Sequence, residues 1–226
     1  MNSPVRISPI YDLLQQLGGN WQEINEMQSL YSLPDDDINA ALLGIADLSY
    51  LTRFGVKGAA AASWLATQSI PIPNRPNSWY PLAETGIIAR LGINEFLIES
   101  TIAPQLNLAC KSPPAKVYPV LRQDLAIALI GTQVNELLLQ TCSFNFQARS
   151  LTERPVILTS MVGVSVTVIP GDRNGIPFYR IWCDGTFGVY LWQTLSAIAI
   201  ELGGGVIGVE TLQCIVSPTR NVTPTN

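Results

Sequence analysis

The most regular hydrophobic pattern of the chain lies between residues 156 and 202. Over residues 161–169, valines alternate with glycine, serine and threonine, as is typical of a strand with one buried face. Asn174 and Gly175 both tolerate a positive φ, so we expect a hairpin turn there. This pattern predicts one long strand, a turn, and an antiparallel return strand over residues 176–183.

The period then changes to three or four residues, which predicts a helix over residues 187–202 that ends at Gly203. The positions expected to face inward are Phe187, Leu191, Leu195, Ile198 and Leu202. A step of about 100° per residue places a second set on the opposite side: Val189, Gln193, Ala197 and Ile200. Because this outer face carries no charge, we expect another layer of the domain or another chain to cover it.

The rest of the chain predicts alternating strands and helices. Strands are expected over residues 46–56, 86–90, 95–100 and 209–216, and extended chain over 117–130 with an interruption near 122–124. Helices are expected near residues 8–17, 59–68 and 131–141. Residues 20–39 and the proline-rich stretch 70–81 are predicted to be irregular, and 101–116 to hold a short helix before a linker. The acidic run at Asp35, Asp36 and Asp37 is interpreted as a helix start or solvated turn, in preference to a metal site.

A short internal repeat sets the expected fold. Gly58 is followed by Trp64 and Leu65, and Gly131 by Leu137 and Leu138, at the same spacing. The predicted fold class is therefore α+β, with two related β-rich half-units and packed helices. We expect an N-terminal arm and helix (1–44), one α+β unit (45–216) with half-repeats at about 45–115 and 116–216, and a flexible tail (217–226).

Composition narrows the classes of function. Charged residues make up 13%, the mean hydropathy is +0.25, and the formal charge of −4 argues against a nucleic-acid partner. The scarcity of charge instead points to a protein partner or self-association. No histidine is present, which argues against a zinc site, a Ser-His-Asp triad and a Cys-His dyad. No metal site is predicted, and the four separated cysteines are expected to be buried free thiols.

The start of the chain lacks the pattern of a signal peptide, and its uncharged runs are too short to span a membrane. We therefore expect a cytoplasmic protein without a membrane partner.

Seven segments carry a resemblance to a known family. They read RFGVKG at 53–58, NSW at 77–79, ARLG at 89–92, EFLI at 95–98, RQD at 122–124, TSMVGVSV at 159–166 and YRIWCD at 179–184. Together they resemble the gamma subunit of heterotetrameric sarcosine oxidase, over about residues 45–216. More distantly, their order is similar to the folate-binding domain of the glycine-cleavage aminomethyltransferase, or T protein.

This resemblance implies two related halves around a central channel, where the enzymatic members hold tetrahydrofolate. Those enzymes carry a carboxylate after a Gly-Ile-Ile-like turn, whereas here Gly86-Ile87-Ile88 leads into Ala89 and Arg90. The acidic, glycine-rich motif of the enzymes is also replaced over 161–169. The resemblance thus implies a non-catalytic subunit, without catalytic residues, that stabilises or assembles a folate-linked amine-oxidising complex. The alternative is a standalone tetrahydrofolate-binding protein or a relative of the aminomethyltransferases.

Two groups of residues are candidates for contact with a ligand or partner. Arg180 and Trp182, with adjacent Tyr179, would stack on a pterin if tetrahydrofolate is the cofactor, or would form a cation–aromatic pair at a sheet surface or subunit contact. Arg122 and Asp124 would bind a ligand, pair locally or face a partner chain. The predicted interface residues are Val189, Gln193, Ile200, Arg122 and Asp124.

Overall fold

The computed structural model describes residues 6–83, 85–173 and 175–216. The helices are α1 (Tyr11–Gln15), α2 (Asp36–Leu42), α3 (Ala61–Thr67), α4 (Ala103–Ala109), α5 (Val134–Thr141), α6 (Gly188–Glu201) and α7 (Val209–Val216). The first seven strands are β1 (Asn20–Ile24), β2 (Met27–Ser32), β3 (Gly44–Asp47), β4 (Arg53–Lys57), β5 (Ser78–Pro81), β6 (Ile87–Arg90) and β7 (Glu95–Glu99). The others are β8 (Tyr118–Val120), β9 (Leu125–Ile130), β10 (Ile157–Met161), β11 (Val164–Ile169), β12 (Asp172–Arg173), β13 (Ile176–Cys183) and β14 (Gly205–Val206). The expected α+β class is confirmed.

A seven-stranded sheet forms the centre of the molecule, in the order β10-β11-β13-β9-β3-β14, with β12 paired to β13. Every residue of β9 is buried, because apolar layers cover both faces of the sheet. On one face, side chains of α5 and α6 pack against the sheet. On the other face, the core includes Leu97 of β7 and Leu212 of α7. Because side chains alternate along a strand, successive residues of β13 face these two cores in turn.

The second sheet has five strands in the order β5-β6-β7-β4-β8, and α3 and α4 cover one of its faces. The predicted hairpin of β6 and β7 is confirmed. The proline-rich stretch was predicted to be wholly irregular, which is wrong because β5 forms there. As an edge strand, β5 tolerates the proline at its end.

The chain crosses between the two sheets twice. The strand predicted over 46–56 is β3 of the larger sheet and β4 of the smaller one, separated by a turn. The stretch 117–130 likewise divides into β8 of the smaller sheet and β9 of the larger one. Gly58 and Gly131, the two glycines of the internal repeat, share a φ of +121°. The division of the chain near residue 116 stays a prediction.

The strand predicted over 156–169 is two strands, β10 and β11, which pair antiparallel. The chain reverses at Val162 and Gly163, whose φ angles are +44° and +84°. The prediction of one strand failed because Gly163, taken for a small strand residue, supplies a left-handed turn. The return strand β13 is confirmed, and β12 pairs with it across the turn that contains Gly175. Asn174 lies outside the described residues.

Helix α6 is confirmed, and Gly203 follows it with a φ of +83°. Phe187 was expected to face inward, but it precedes the helix and is 53% exposed. The last predicted strand, 209–216, is helix α7, because Val209 and Leu212 recur at helical spacing and are both buried.

The N-terminal region holds more structure than expected. Residues 20–39 were predicted to be irregular, but β1 and β2 form a hairpin there with a turn at Asn25 and Glu26. Strand β1 escaped prediction because both of its faces are largely exposed, so it lacks an apolar alternation. The acidic run does begin a helix, α2, and buried Asp36 accepts hydrogen bonds from the backbone N–H groups of Leu33 and Gly208. The predicted tail, 217–226, lies outside the described residues.

The four cysteines are free, as predicted, but only Cys110, Cys142 and Cys183 are buried, whereas Cys214 is exposed on α7. None of the helices in the described parts of the chain has both the length and the apolar character needed to cross a membrane.

Candidate functional site

A buried carboxylate stands where the two large sheets meet. Glu99 ends strand β7 and is only 1% exposed. Arg180 Nη1 donates to Glu99 Oε1 at 3.1 Å, and Trp182 Nε1 donates to Glu99 Oε2 at 3.0 Å. Both donors are on β13, so these bonds join the smaller sheet to the larger one. We call Glu99, Arg180, Trp182 and Arg53 the seam cluster.

Arg53 lies near the same carboxylate. It pairs with Glu99 across the β4–β7 ladder, and its Nη1 lies 3.9 Å from Glu99 Oε2. Arg180 is held further by a bond from Nη2 to the carbonyl oxygen of Thr85, at 2.9 Å. The seam cluster therefore holds two buried positive charges and one buried negative charge. Removing one partner from such a buried pair typically costs about 3–5 kcal/mol.

The structure separates the three residues predicted to contact a pterin. Arg180 and Trp182 share one face of β13, while Tyr179 faces the opposite core because side chains alternate along a strand. There the Tyr179 ring packs edge-on against Phe146, and its hydroxyl donates to Asn135 Oδ1 at 3.4 Å. Burial raises the pKa of Tyr179. The three side chains thus do not line one site.

Sequence reasoning missed Glu99, the centre of the cluster. The available signal was an acidic residue that closes the apolar run Phe96, Leu97 and Ile98. A carboxylate at the end of a fully buried strand needs a buried cationic partner. The arginine predicted to touch a ligand, Arg180, supplies that partner.

A small cavity and a larger groove flank the cluster. The cavity beside Arg180 measures about 60 Å³ and is lined in part by Leu48, Tyr50 and Leu212. Burial is the main cause that raises the pKa of Tyr50 to about 12. The groove beside Trp182 measures about 580 Å³, and β10, β11 and the segment before β9 contribute to its walls.

The groove contains a thiol but no activated nucleophile. Cys183 lines it, and burial, followed by the charges of Asp124 and Asp184, raises the pKa of this thiol to about 11. A thiol with so high a pKa stays protonated near neutral pH and is a poor nucleophile. Both oxygens of Glu99 already accept hydrogen bonds, so Glu99 is not placed as a general base. Within the described residues, no three His, Cys, Asp or Glu side chains gather as a metal site would require.

Arg122 and Asp124 lie between β8 and β9, at the mouth of the same groove. Arg122 Nη2 donates to Glu95 Oε1 at 2.9 Å, so the ion pair of Arg122 is with β7. Asp124 Oδ2 is buried without a hydrogen-bond partner among the described residues. Val189, Gln193 and Ile200 are exposed on the outer face of α6. Their role as interface residues stays a prediction.

The solved structures that are similar to this chain include the following two. An aminomethyltransferase T of the glycine cleavage system from Bartonella henselae matches 93% of this chain with a TM-score of 0.75 at 13% identity. The match spans 62% of the length of that enzyme. The chain has the aminomethyltransferase-like fold. A chain of the heterotetrameric sarcosine oxidase from Corynebacterium sp. U-96, in complex with pyrrole 2-carboxylate, matches with a TM-score of 0.62 at 17% identity. That match covers 89% of this chain and 98% of the other. No protein-family model and no curated protein matches the sequence.

The turn at Gly86 leads into strand β6, which carries no carboxylate before Arg90. Arg90 donates to the backbone carbonyl oxygens of Pro73 and Ile93, at 3.0 and 2.7 Å. Ala89, beside it, is fully buried. The carboxylate nearest to the seam is instead Glu99, on the neighbouring strand of the hairpin, and its oxygens are already bound.

Proposed function

We propose that this chain is a non-catalytic, cytoplasmic protein subunit, related to the gamma subunit of heterotetrameric sarcosine oxidase, that stabilises or assembles a folate-linked amine-oxidising complex. The sarcosine oxidase chain with the same fold supports this proposal, because the match extends over 98% of its length. The seven sequence segments described above support it as well.

The outer face of α6 is the observation that carries the proposal. From residue 188 to residue 200 the helix contains no charged side chain. Its exposed residues include Val189, Tyr190, Gln193, Ala197 and Ile200. A solvated helix normally carries lysine and glutamate at such positions. A row of exposed apolar side chains is typical of a surface that another protein covers.

The seam cluster supports the non-catalytic part of the proposal. Arg180 and Trp182 both donate hydrogen bonds to Glu99, and the cavity beside Arg180, about 60 Å³, holds little more than water. Cavities that bind small molecules usually measure about 300–1,000 Å³. The cavity at the seam cluster is therefore small for a substrate, and a role in assembly fits this chain better than catalysis at that cluster.

The proposal is tested by placing a charge on the outer face of α6. Ile200 is 66% exposed, so Ile200→Glu should leave the folded monomer within about 0.5 kcal/mol of its original stability. Association should lose about 1–3 kcal/mol if a partner covers the face. Light scattering of the native assembly and thermal melting measure the two effects.

Ile38→Glu is the matched control, because Ile38 is 69% exposed on a different helix, α2. Equal loss of association in both variants would point to a general effect of charge. Unchanged association in Ile200→Glu would remove this face from the interface, and a collapsed fold would place Ile200 in the core.

A second candidate function, tetrahydrofolate binding, is favoured by the groove beside Trp182. Its volume of about 580 Å³ is in the range of ligand pockets, and the indole of Trp182 lines it. Calorimetry with tetrahydrofolate distinguishes the two functions. Saturable binding that Trp182→Leu weakens, in a variant whose fold is intact, would favour folate binding over assembly alone.

A further inference from the structure

Strand β10 forms an unprotected edge of the larger sheet. It is the last strand of that sheet and, in the described part of the chain, its ladder is with β11 alone. Its residues, Ile157–Met161, include neither a charged residue nor a proline, which commonly protect an edge. Other edges of the two sheets have such protection, because β8 contains Pro119 and β14 is only two residues long. The edge of β10 is therefore a template on which another strand can form.

Both ends of β10 show which of its backbone groups point outward. Before the strand, the N–H group of Val156 donates to the carbonyl oxygen of Asn77 at 2.9 Å, away from β11. After the strand, the N–H group of Val162 donates to the carbonyl oxygen of Thr141 at 2.8 Å, also away from β11. Successive N–H groups of a strand point to opposite edges, so the even-numbered positions between these two also point outward.

Leu158 and Ser160 are thus the positions at which the edge is open. Neither N–H group has an acceptor among the described residues. Leu158 is 54% exposed, and Ser160 is exposed as well, so both positions lie at the surface. An extended peptide binds to such an edge through main-chain hydrogen bonds.

Two exposed arginines adjoin this opening. A cleft of about 310 Å³ is lined by Leu158 and, at the end of β10 where Asn77 lies, by Arg75 and Arg149. Both arginines are exposed, and neither has a carboxylate within ion-pair distance in the described part of the chain. The cleft wall also contains Glu153, but Arg75 donates to its backbone oxygen and not to its carboxylate. The cleft thus has an excess of positive charge on a chain whose net charge is −4.

The opening also adjoins the outer face of α6. Tyr190 is 53% exposed on that helix, and its hydroxyl donates to the carbonyl oxygen of Val162 at 3.2 Å. Val162 follows the open positions by two and four residues, which is about 7–13 Å along a strand. A protein that covers the outer face of α6 therefore lies within reach of the open edge.

We infer that the partner protein adds an extended segment with an acidic residue to β10 as a further strand. The backbone of this segment bonds to Leu158 and Ser160, and its carboxylate binds to Arg75 and Arg149 in the cleft. Because this binding mode requires a partner on the outer face of α6, it rests on the proposed function. It adds the chemistry by which that partner is recognised.

The length of the opening argues against a second copy of β10 as the added strand. Asn77 and Thr141 close the two ends, so about five residues of an added strand fit between them. If two copies of β10 paired antiparallel about Thr159, Val162 of one copy would occupy the place of Asn77 of the other. A short segment of a different protein fits without this clash.

Amide hydrogen exchange in the native assembly, isolated from the source cells, tests this binding mode. Mass spectrometry with electron-transfer fragmentation measures the exchange of single N–H groups. Leu158 and Ser160 should exchange at least about 100-fold more slowly in the assembly than in the isolated full chain, because an added strand must open before they exchange. Ile93, 73% exposed in the β6–β7 turn, is the control and should exchange equally in both.

Ser160→Pro removes one outward N–H group and leaves the ladder with β11 intact. The melting temperature of the isolated chain should therefore stay within about 4 °C of its native value. Calorimetry with the partner separated from the native assembly should show binding weakened by about tenfold or more. Ser160→Ala keeps the N–H group and should bind as the native chain does.

Arg149→Glu reverses one charge of the cleft and should weaken the same binding by about tenfold or more. Lys111→Glu makes the same change at an exposed position outside the cleft and should leave the binding unchanged. Equal weakening by both variants would show that the segment carries no acidic residue at this cleft.

Unchanged exchange at Leu158 and Ser160, in an assembly that Ile200→Glu still weakens, would overturn the added strand and leave the proposed function standing. A chain that occurs alone in its source cells would contradict both. Slow exchange at the edge in an assembly made only of copies of this chain would overturn the choice of a different protein. If Ser160→Pro fails to fold, the exchange rates and Arg149→Glu still decide.

Discussion

Arg180 and Arg53 both lie near the carboxylate of Glu99, but their hydrogen bonds differ. Arg180 donates to Glu99 at 3.1 Å and to the carbonyl oxygen of Thr85 at 2.9 Å. Arg53 lies 3.9 Å from Glu99 and keeps two nitrogen atoms without an acceptor among the described residues. The surroundings differ in the same way. Arg180 borders a cavity of about 60 Å³, and Arg53 borders cavities of about 360 and 460 Å³.

This difference shows that burial alone does not determine whether a charged side chain has its hydrogen bonds satisfied. Both arginines are almost fully buried, yet only Arg180 has satisfied hydrogen bonds and closed surroundings. Sequence reasoning left Arg180 with two interpretations, a contact with a pterin and a cation–aromatic pair at a sheet surface or subunit contact. The structure shows Arg180 bound within the seam cluster, and contact of Arg180 with a ligand stays a prediction.

The largest expected effect is the loss of the carboxylate that both arginines approach. Glu99→Gln keeps the shape of the side chain but leaves Arg180 and Arg53 without a counter-charge. The free energy of unfolding in urea should fall by about 3–5 kcal/mol. Glu95→Gln, which removes the half-exposed partner of Arg122, should cost at most about 1 kcal/mol. Similar losses in both variants would show that the seam cluster is not a buried structural unit.

Replacement of each arginine by methionine tests the comparison itself. Arg180→Met leaves Glu99 with one distant cation and should cost about 3 kcal/mol. Arg53→Met removes two unpaired donors along with one weak hydrogen bond. The free energy of unfolding should therefore fall by less than about 1 kcal/mol, or should rise. Urea unfolding of the two variants measures both effects. Equal costs would break the distinction between a satisfied and an unsatisfied arginine.

The stability of the chain at alkaline pH tests whether the cavity beside Arg180 is closed to water, because Tyr50 lines that cavity. The pKa of Tyr50 is about 12 in the folded chain, against an ordinary value of 10.0, mainly because burial disfavours the phenolate. The folded state therefore binds the proton more tightly than the unfolded state. The contribution of Tyr50 to stability is fully present below pH 10 and is lost as the pH rises through 12. The total loss should be about 2–3 kcal/mol.

Tyr50→Phe should remove that part of the alkaline loss, as followed by urea unfolding between pH 8 and 12. Tyr118→Phe serves as the control, because Tyr118 is exposed at the sheet edge. The raised pKa of Cys183 should leave a separate loss, which begins at lower pH, in both variants. An alkaline loss that Tyr50→Phe does not reduce would mean that the cavity is open to water.

Local patterns in the sequence predicted the elements whose faces differ in polarity. Strand β13, helix α6 and the β6–β7 hairpin follow from alternation, helical period and turn residues. Strand β1 could not be predicted in this way, because both of its faces are largely exposed. The break at Val162 and Gly163 was missed because the alternation of small and branched residues continues across the turn. Helix α7 was taken for a strand because its short apolar run fits both periods.

The seam cluster and the contacts of Arg6 could not be predicted from local patterns. Glu99 meets Arg180 across 81 residues of sequence, and Arg6 meets the carbonyl oxygen of Ser49 across 43. A single sequence contains no signal that identifies contacts between residues so far apart. The sequence did indicate Arg180 and Arg122 as unusual, because charges are scarce in this chain, but the partners of each became known only from the fold.

Photo-crosslinking tests most directly the central claim that the outer face of α6 contacts another protein. A photoreactive amino acid replaces Gln193 on that face or, as the matched control, Gln105, which is exposed on α4. Irradiation of the native assembly in its source cells should produce covalent protein adducts from position 193 and not from position 105. An adduct at position 193 would form with a second copy of this chain as well as with a different partner. An absence of adducts at position 193, or equal yields at both positions, would contradict the account.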